Sequence, residues 1–520
     1  NQQSREGGDD DDDNDVDGGP NGFYDPINDG DYPWYDDILG KDDIECGIDR
    51  RISLYGDETH WWVFNDKGNI HGESGGEPIG MEVRAQAFSF ATNDEVNRMT
   101  FYNYELINRG TQKLDDTYFA QYIDADVGGS DDDFTGCDVS RGLGYMYNGD
   151  NFDGGANGAL GYGENPPAVG CDFFEGPYMD ADGKDNIGPV KDKETGIWTI
   201  PTVEDALADN GIVYPGIGVG YSDSIIDNER YGMRLFTYYT NSAPDAVSDP
   251  DNSSEFYNYM SGFWADGQQM VFGGTGYPAT SPTTTPTNYM FPGDSDPLHW
   301  ATGGQNMGFD WSETETDGNG GTNAFADRRF VQSAGPFTLT PGAVNNITVG
   351  IVYGRASDGD AYSSVNAMKK ADTKAQALFD ACFRILEPPS APKLTIQELE
   401  NELVLVLTNP LGSLNYNEEY REEDIINIDE SITDRFYTFE GYQIYQLANE
   451  EAGVSDIGNN ELARRVVQCD IENDIIDIVN FEFDEALGFS IPTPKVDANN
   501  SGIQHSFLLT EDAFAQGDKA

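Results

Sequence analysis

The stretch MTFYNYELINRGTQKLDDTYFAQYI, residues 99–123, decides the fold class. In its first part Tyr102, Tyr104 and Leu106 share one face of an extended chain, while Phe101, Asn103, Glu105 and Ile107 share the other. Alternation of period two, rich in aromatic residues, marks a strand with one face on a packed layer. Arg109-Gly110 signals a turn, and Asp116 to Ile123 is expected to return as the next antiparallel strand.

Outward from this stretch, strand-like text recurs at 61–64, 80–91, 231–240 and 269–273, and on both sides of Pro341-Gly342. Long Gly-, Pro- and Thr-rich connections lie between. Residues 363–386 are the exception. Val365, Met368, Ala371, Ala375, Leu378, Phe379, Cys382, Phe383 and Leu386 recur at helical spacing, and Pro388-Pro389 is a stop. Such a stripe is expected to pack on a core. Beyond it, 394–396, 403–407, 437–447 and 463–471 read as short strands at immunoglobulin-like spacing, interrupted by an acidic insertion at 414–435. The expected fold is therefore all-β. It comprises an acidic low-complexity segment (1–45), a β-sandwich region with long acidic loops (46–360), one amphipathic helix with a Pro linker (361–389) and an immunoglobulin-like sandwich (390–520).

With 29 basic and 94 acidic side chains the chain carries a formal charge of −65. That excludes nucleic acid and anionic membrane surfaces as natural partners, since both would be repelled. It suits a saline or calcium-containing medium that screens the self-repulsion. No apolar run is long enough to span a membrane. The polar start at Asn1 is that expected of a processed or trimmed chain.

The acidic residues are not spread evenly. Directly after Ile123 comes DADVGGSDDDFTGCD, residues 124–138. Carboxylates gathered this densely repel one another, and calcium, which takes six to eight oxygens in irregular geometry, relieves that repulsion. Asp124, Asp126, Asp131, Asp133 and Asp138 are the expected calcium ligands. A second loop, Asp180-Ala-Asp182-Gly-Lys-Asp185-Asn186, offers Asp180, Asp182 and Asp185, with a plain Asx-type turn as the alternative. Near the N-terminus Asp13, Asp15 and Asp17 fit the DxDxDG start of a calcium loop. Tyr24 stands where an EF-hand needs Glu, so this is not an EF-hand; the alternative is a solvated linker.

Other chemistry is sparse. The five cysteines, Cys46, Cys137, Cys171, Cys382 and Cys469, fit no zinc spacing. Cys137–Cys171 is the expected disulfide, with buried free thiols as the alternative. Gly72-Glu-Ser74-Gly-Gly76 superficially matches a serine-protease motif, but none of the four His has the accompanying setting, and Ser74 reads as a turn residue. Gly216, Gly218 and Gly220 lack the following helix of a dinucleotide loop. Trp61, Trp62 and Trp264 are the candidates for stacking on a sugar, with core packing as the alternative. With no coherent nucleophile, metal-hydrolase or cofactor pattern, the chain reads as a non-enzyme. It is expected to be a calcium-stabilised extracellular structural or adhesive protein that self-associates or binds other surface proteins. The second reading is a polysaccharide-binding or -degrading protein.

Several segments together carry a resemblance. They are Phe101 to Gly110, Asp124-Ala-Asp126-Val-Gly128, Gly136-Cys137-Asp138, Tyr147-Asn148-Gly149, Gly163 to Gly170, Phe174-Glu-Gly176-Pro177 and Gly335-Pro336-Phe337. As a set they resemble large secreted proteins of Bacteroidota exported by the type IX secretion system. Phe439-Glu-Gly-Tyr442-Gln-Ile-Tyr445 is similar to the third strand of a fibronectin type III module in such proteins. The resemblance implies a cell-surface location. It also implies that 391–520 is an open module, completed by two further strands from a longer chain or from a neighbouring subunit.

Overall fold

The computed structural model describes residues 55–515, apart from positions 93, 157, 159, 189, 192–197, 200, 203, 206–215, 242–244, 387, 425–433 and 485–488. The acidic segment 1–45, with Asp13, Asp15 and Asp17, lies outside the described residues. The protein is all-β, built from antiparallel sheets, and its backbone divides into a unit ending at Cys382 and a unit beginning at Phe383.

In chain order the first unit runs β1 (Glu58–Asn65), β2 (Met81–Ser89), β3 (Thr100–Asn108), β4 (Leu114–Ile123), β5 (Asp133–Asp138), β6 (Leu143–Asn148), β7 (Phe152–Asp153), β8 (Gly163–Glu164), β9 (Ala168–Glu175), β10 (Val190–Lys191), β11 (Trp198–Thr199) and β12 (Leu235–Thr240). Helix α1 (Ser253–Ser261), β13 (Arg328–Leu339), β14 (Val344–Gly354) and helix α2 (Ala361–Asp380) complete it. Seven strands form one sheet in the order β1-β2-β3-β14-β9-β6-β5, and β12-β13-β4 form a second. Both sheets contribute to one core, which takes Cys171 and Phe173 from β9, Phe236 and Tyr238 from β12, Phe330 from β13 and Val349 from β14.

The alternation read in β3 is realised. Tyr102, Tyr104 and Leu106 face this inter-sheet core, while Phe101 packs against Phe88, Phe90 and Phe174 on the opposite side. The expected β3–β4 hairpin is not formed. Both edges of β3 are taken, by β2 and β14, so β4 crosses to the second sheet and pairs with β13. There Phe119 meets Tyr104 across the core, with ring centroids 5.5 Å apart. The strands flanking Pro341-Gly342 likewise belong to different sheets. Residues 269–273 make isolated bridges, Phe263–Gln269 and Val271–Pro286, instead of the expected strand.

Helix α2 covers the other face of the seven-stranded sheet. Asp360 caps it, accepting from the Ser363 amide at 2.9 Å, and Val365, Met368, Ala371, Ala375 and Leu378 form its buried stripe. Phe379 stacks on Phe174 at 5.4 Å. Close approach depends on glycine at one point above all: a Cβ on Gly354 would lie 2.2 Å from the Met368 amide nitrogen. The helix ends at Asp380, six residues short of the expected Leu386, because Cys382 and Phe383 adopt left-handed backbone, φ 56° and 57°.

Cys137 and Cys171 are free and buried, contrary to the expected disulfide; Cys382 is disulfide-bonded. The reason is register. Cys137 pairs with Gly144, and Gly144 pairs with Cys171. Two strand spacings, about 10 Å, separate the two cysteines, beyond the reach of an S–S bond.

The second unit contains β15 (Lys393–Glu398), β16 (Leu403–Thr408), β17 (Arg421–Glu423), β18 (Phe436–Thr438), β19 (Gly441–Leu447), β20 (Ala463–Asp470), β21 (Asp477–Asp484), β22 (Phe489–Asp497) and β23 (Ser506–Leu509). The expected 437–447 strand is broken, and 437–438 belong to β18, which pairs with β17. The larger sheet of the unit is β15-β16-β23, and of that stretch only β19 pairs with β20. Leu407 and Phe507 from the one, and Tyr442, Ile444 and Cys469 from the other, share a core, so the two sheets form a sandwich. Among the described residues β19 has no partner other than β20.

Candidate metal centre

The acidic loop begins where β4 ends, and β13 supplies what lies opposite. Phe330 faces Ile123 and Val331 faces Tyr122. Continuing that antiparallel register brings Arg329 opposite Asp124, and Asp327 opposite Asp126. Carboxylate oxygens of Asp124, Asp126 and Asp327 accordingly lie within 4.8 Å of one another. Oxygens on opposite sides of a calcium ion are about 4.6–5.2 Å apart, so this spread fits one coordination shell.

Arg329 already sits in the group. Its Nε lies 3.2 Å from Asp124 Oδ2 and 3.5 Å from Asp249 Oδ1, and Nη1 lies 2.6 Å from Asp327 Oδ1. It brings one positive charge to four carboxylates, counting Asp126. The Asp126 carboxyl is raised above the ordinary range by partial burial, then by Asp124 and Asp327. A divalent cation would relieve that excess where a single guanidinium does not.

The other expected ligands lie outside this group of three, although Asp131 and Asp133 remain near enough to Asp126 to interact with it electrostatically. Asp133, the first residue of β5, is fully buried, and burial pushes its carboxyl up to about 8, tempered by the nearby Val127 amide. Asp131 is exposed. Asp138 does not join them. It lies at the far end of β5, about 17 Å along the strand, where Oδ2 is 2.9 Å from Lys369 Nζ and 3.6 Å from Arg141 Nε. Asp138 therefore has cations of its own.

In the second loop each carboxylate is directed to a different place. Asp180 accepts from the Thr338 amide and hydroxyl, both at 2.7 Å. Asp182 accepts from the Lys184 amide at 3.0 Å and from Asn186 Nδ2 at 3.2 Å, and its carboxyl is held below the ordinary range by the Asn186 bond. Asp185 accepts from the Ser224 amide at 2.8 Å. That pattern of short local bonds is an Asx turn with two long-range tethers.

Asp327, Asn148 and Asp153 fall outside the sequence reading of the acidic site, and Asp132, although part of its dense acidic cluster, is absent from its expected ligands. Asp327 comes from a distant segment, and only the β4–β13 register reveals it. Asp153 had a local signal in its following Gly154-Gly155, which resembles the Asp-Gly turns read elsewhere.

The sugar-stacking residues disperse as well. Trp264 is 1% exposed, with Nε1 donating to Gly276 O at 2.9 Å, so it belongs to the core. Trp61 and Trp62 are half-buried on edge strand β1, where consecutive residues point to opposite faces. A cavity of about 480 Å³ in the second unit is lined by Tyr420, Phe439, Tyr442, Glu440 and Asp470 among others. No Trp follows Trp311 in the chain, so none contributes to it. Ser74 Oγ accepts from the Gly76 amide at 3.3 Å, as a turn serine does. No protein-family model and no curated protein matches the chain.

Proposed function

We propose that this is a non-enzymatic extracellular structural or adhesive surface protein whose β-sandwich region is stabilised by calcium. The observation that carries the reading is the convergence of Asp124 and Asp126, just past β4, with Asp327, just before β13, within the spread of one calcium coordination shell. A cation there would tie the end of β4 to the start of β13 across the second sheet. The strongly acidic composition supports a medium rich in counter-ions, and the resemblance to type IX secretion cargo supports a place on the cell surface. Partners on this reading are other surface proteins or further copies of the chain. Glycan binding is the weaker reading, because the expected Trp residues do not form a common platform.

An ion that binds only the folded state stabilises by mass action, by about 4 kcal/mol at a thousandfold excess over Kd. Chelator should therefore lower the melting temperature of the full chain, and Asp126→Ala should reduce the difference between calcium and chelator. A melting curve indifferent to chelator refutes the calcium reading. Turnover in a broad glycan and peptide hydrolysis screen, lost on mutating one carboxylate pair, refutes the non-enzymatic one.

A further inference from the structure

Beside the outer group lies a second set of oxygens with a different character. Asp132 Oδ1, both carboxylate oxygens of Asp133, and Asn148 Oδ1 are all buried and none meets a donor in hydrogen-bonding geometry; the Val127 amide lies near Asp133 without completing such a bond. These four acceptors belong to three neighbouring residues. Asp133 faces Asn148 across the β5–β6 ladder, and the Gly149 amide donates to the Asp132 carbonyl at 2.6 Å. Asp133 and Asn148 are both 0% exposed.

The orientation of Asn148 is set by its own hydrogen bond. Nδ2 donates to the Asp150 carbonyl at 3.0 Å, which turns Oδ1 away from that donor site and leaves it unmatched. Asp153 stands next to this set but is differently employed. It accepts from the amides of Gly129 at 3.0 Å, Gly155 at 2.8 Å and Tyr162 at 2.6 Å, so it shapes the loop. The Gly128-Gly129 pair is what admits the carboxylates. A Cβ on Gly128 would lie 1.6 Å from Asp153 Oδ2, and one on Gly129 would lie 3.2 Å from Asp132 Oδ1. No ion pair among the described residues reaches Asp132, Asp133 or Asp153.

Buried acceptors without donors are destabilising, the more so when charged. Four oxygens on neighbouring residues, all of them acceptors, match a hard cation, and the only donor among their side chains is the Asn148 amide, which tempers the Asp132 carboxyl that burial raises. We infer that Asp132, Asp133 and Asn148 form a second, inner calcium site, with Asp133 bidentate, Asp132 and Asn148 monodentate, and water completing the shell. Four protein oxygens with carboxylate and amide character suit calcium's six to eight ligands at 2.3–2.6 Å. This inference deepens the calcium reading and rests on it, but it concerns ligands distinct from the outer group. The inner ion would pin the acidic loop to the β5–β6 end of the seven-stranded sheet. The outer one would act on the three-stranded sheet.

The test uses the full chain stripped with chelator, then titrated with calcium and followed by calorimetric stoichiometry and melting temperature. Asp133→Asn, which keeps the shape of the side chain, should remove one ion per chain or weaken it at least tenfold. Asp327→Asn should leave that ion in place. Should Asp133→Asn fail to fold, Asn148→Asp supplies the second arm: it adds a carboxylate to the site and should tighten calcium binding several-fold. Unchanged stoichiometry and affinity in Asp133→Asn, with loss of calcium binding in Asp327→Asn, would overturn the inner site and leave the outer reading standing. Unchanged calcium affinity in Asn148→Asp would also overturn it. Absence of any calcium binding to the wild type would overturn both.

Discussion

Replacing Asp372 by Asn tests the least balanced charge group in the core. Asp372 projects from α2 and Asp172 from β9, and each is 1% exposed. Neither oxygen of Asp172 has a partner if both groups are ionised. Asp372 Oδ2 lies 3.2 Å from Arg141 Nη1, and Arg141 and Lys369 also serve Asp138. Two cations thus face three carboxylates, and the pair must hold a proton. Burial, with Asp372 beside it, pushes the Asp172 carboxyl well above its ordinary value. Burial, opposed by Arg141 and by the bond from Asp172, leaves Asp372 raised to about 6.

A carboxyl with a raised folded pKa binds its proton more tightly folded than unfolded. Its contribution to stability is complete below the unfolded value near 3.8 and is lost as pH rises to about 6. That window of about two pH units, at about 1.4 kcal/mol each, amounts to roughly 3 kcal/mol. Asn does not titrate, so Asp372→Asn removes the loss. Near pH 4 the variant should be no more stable than wild type. Between pH 4 and 6.5 it should gain on wild type by about 3 kcal/mol, or roughly 4 °C for a unit of this size. Thermal unfolding of both proteins across that range is the assay, and the difference between the curves cancels the other acids. Parallel curves would refute the raised Asp372 carboxyl on which the window rests.

Other outcomes follow from single contacts. Glu313 is fully buried and pairs with Arg328, Nε to Oε1 at 3.0 Å and Nη2 to Oε2 at 3.2 Å. Glu313→Gln would strand the guanidinium and should cost about 3–5 kcal/mol in denaturant unfolding; a loss below 1 kcal/mol would mean water reaches Arg328. Gly354→Ala should destabilise by about 1–3 kcal/mol or more by forcing α2 off the sheet, and an unchanged denaturation midpoint would show that the helix can shift freely. Cys137 and Cys171, whose thiols are pushed up by burial, should resist a thiol reagent in the native state and react only on unfolding, without prior reduction. Rapid native labelling of either would contradict their burial.

What could be read from the chain alone was whatever depends on near neighbours. Alternation at 101–107 announced β3, the helical stripe at 365–378 announced α2, and the later part of the 437–447 stretch pairs with 463–470 as β19 and β20. Partner choice was not legible. The turn at Arg109-Gly110 looks like that of any hairpin, and nothing local says that β2 and β14 occupy both edges of β3. The same gap hid one of the three carboxylates of the acidic site. Asp124 and Asp126 stood out by density, whereas Asp327 is one aspartate among many until β13 is set against β4. Of the inner set Asp133 also stood out by density, whereas its companion Asn148 was hidden for another reason. Asp133 and Asn148 are adjacent only across a ladder, and whether an oxygen lacks a donor is a property of packing.

The β4–β13 ladder also carries a kinetic meaning. It joins Ile123 to Phe330, about two hundred residues away, so the space between Asp126 and Asp327 does not exist until the chain has closed a very long loop. Contacts of such separation form late in folding. An ion held there would find no site in the early ensemble and would do little to hasten folding. It would act on the reverse reaction, as interactions absent from the transition state do, by slowing the rate at which the finished sheet comes apart. For a chain carrying so much like charge, the persistence of the folded form would then be set by how slowly the ion leaves.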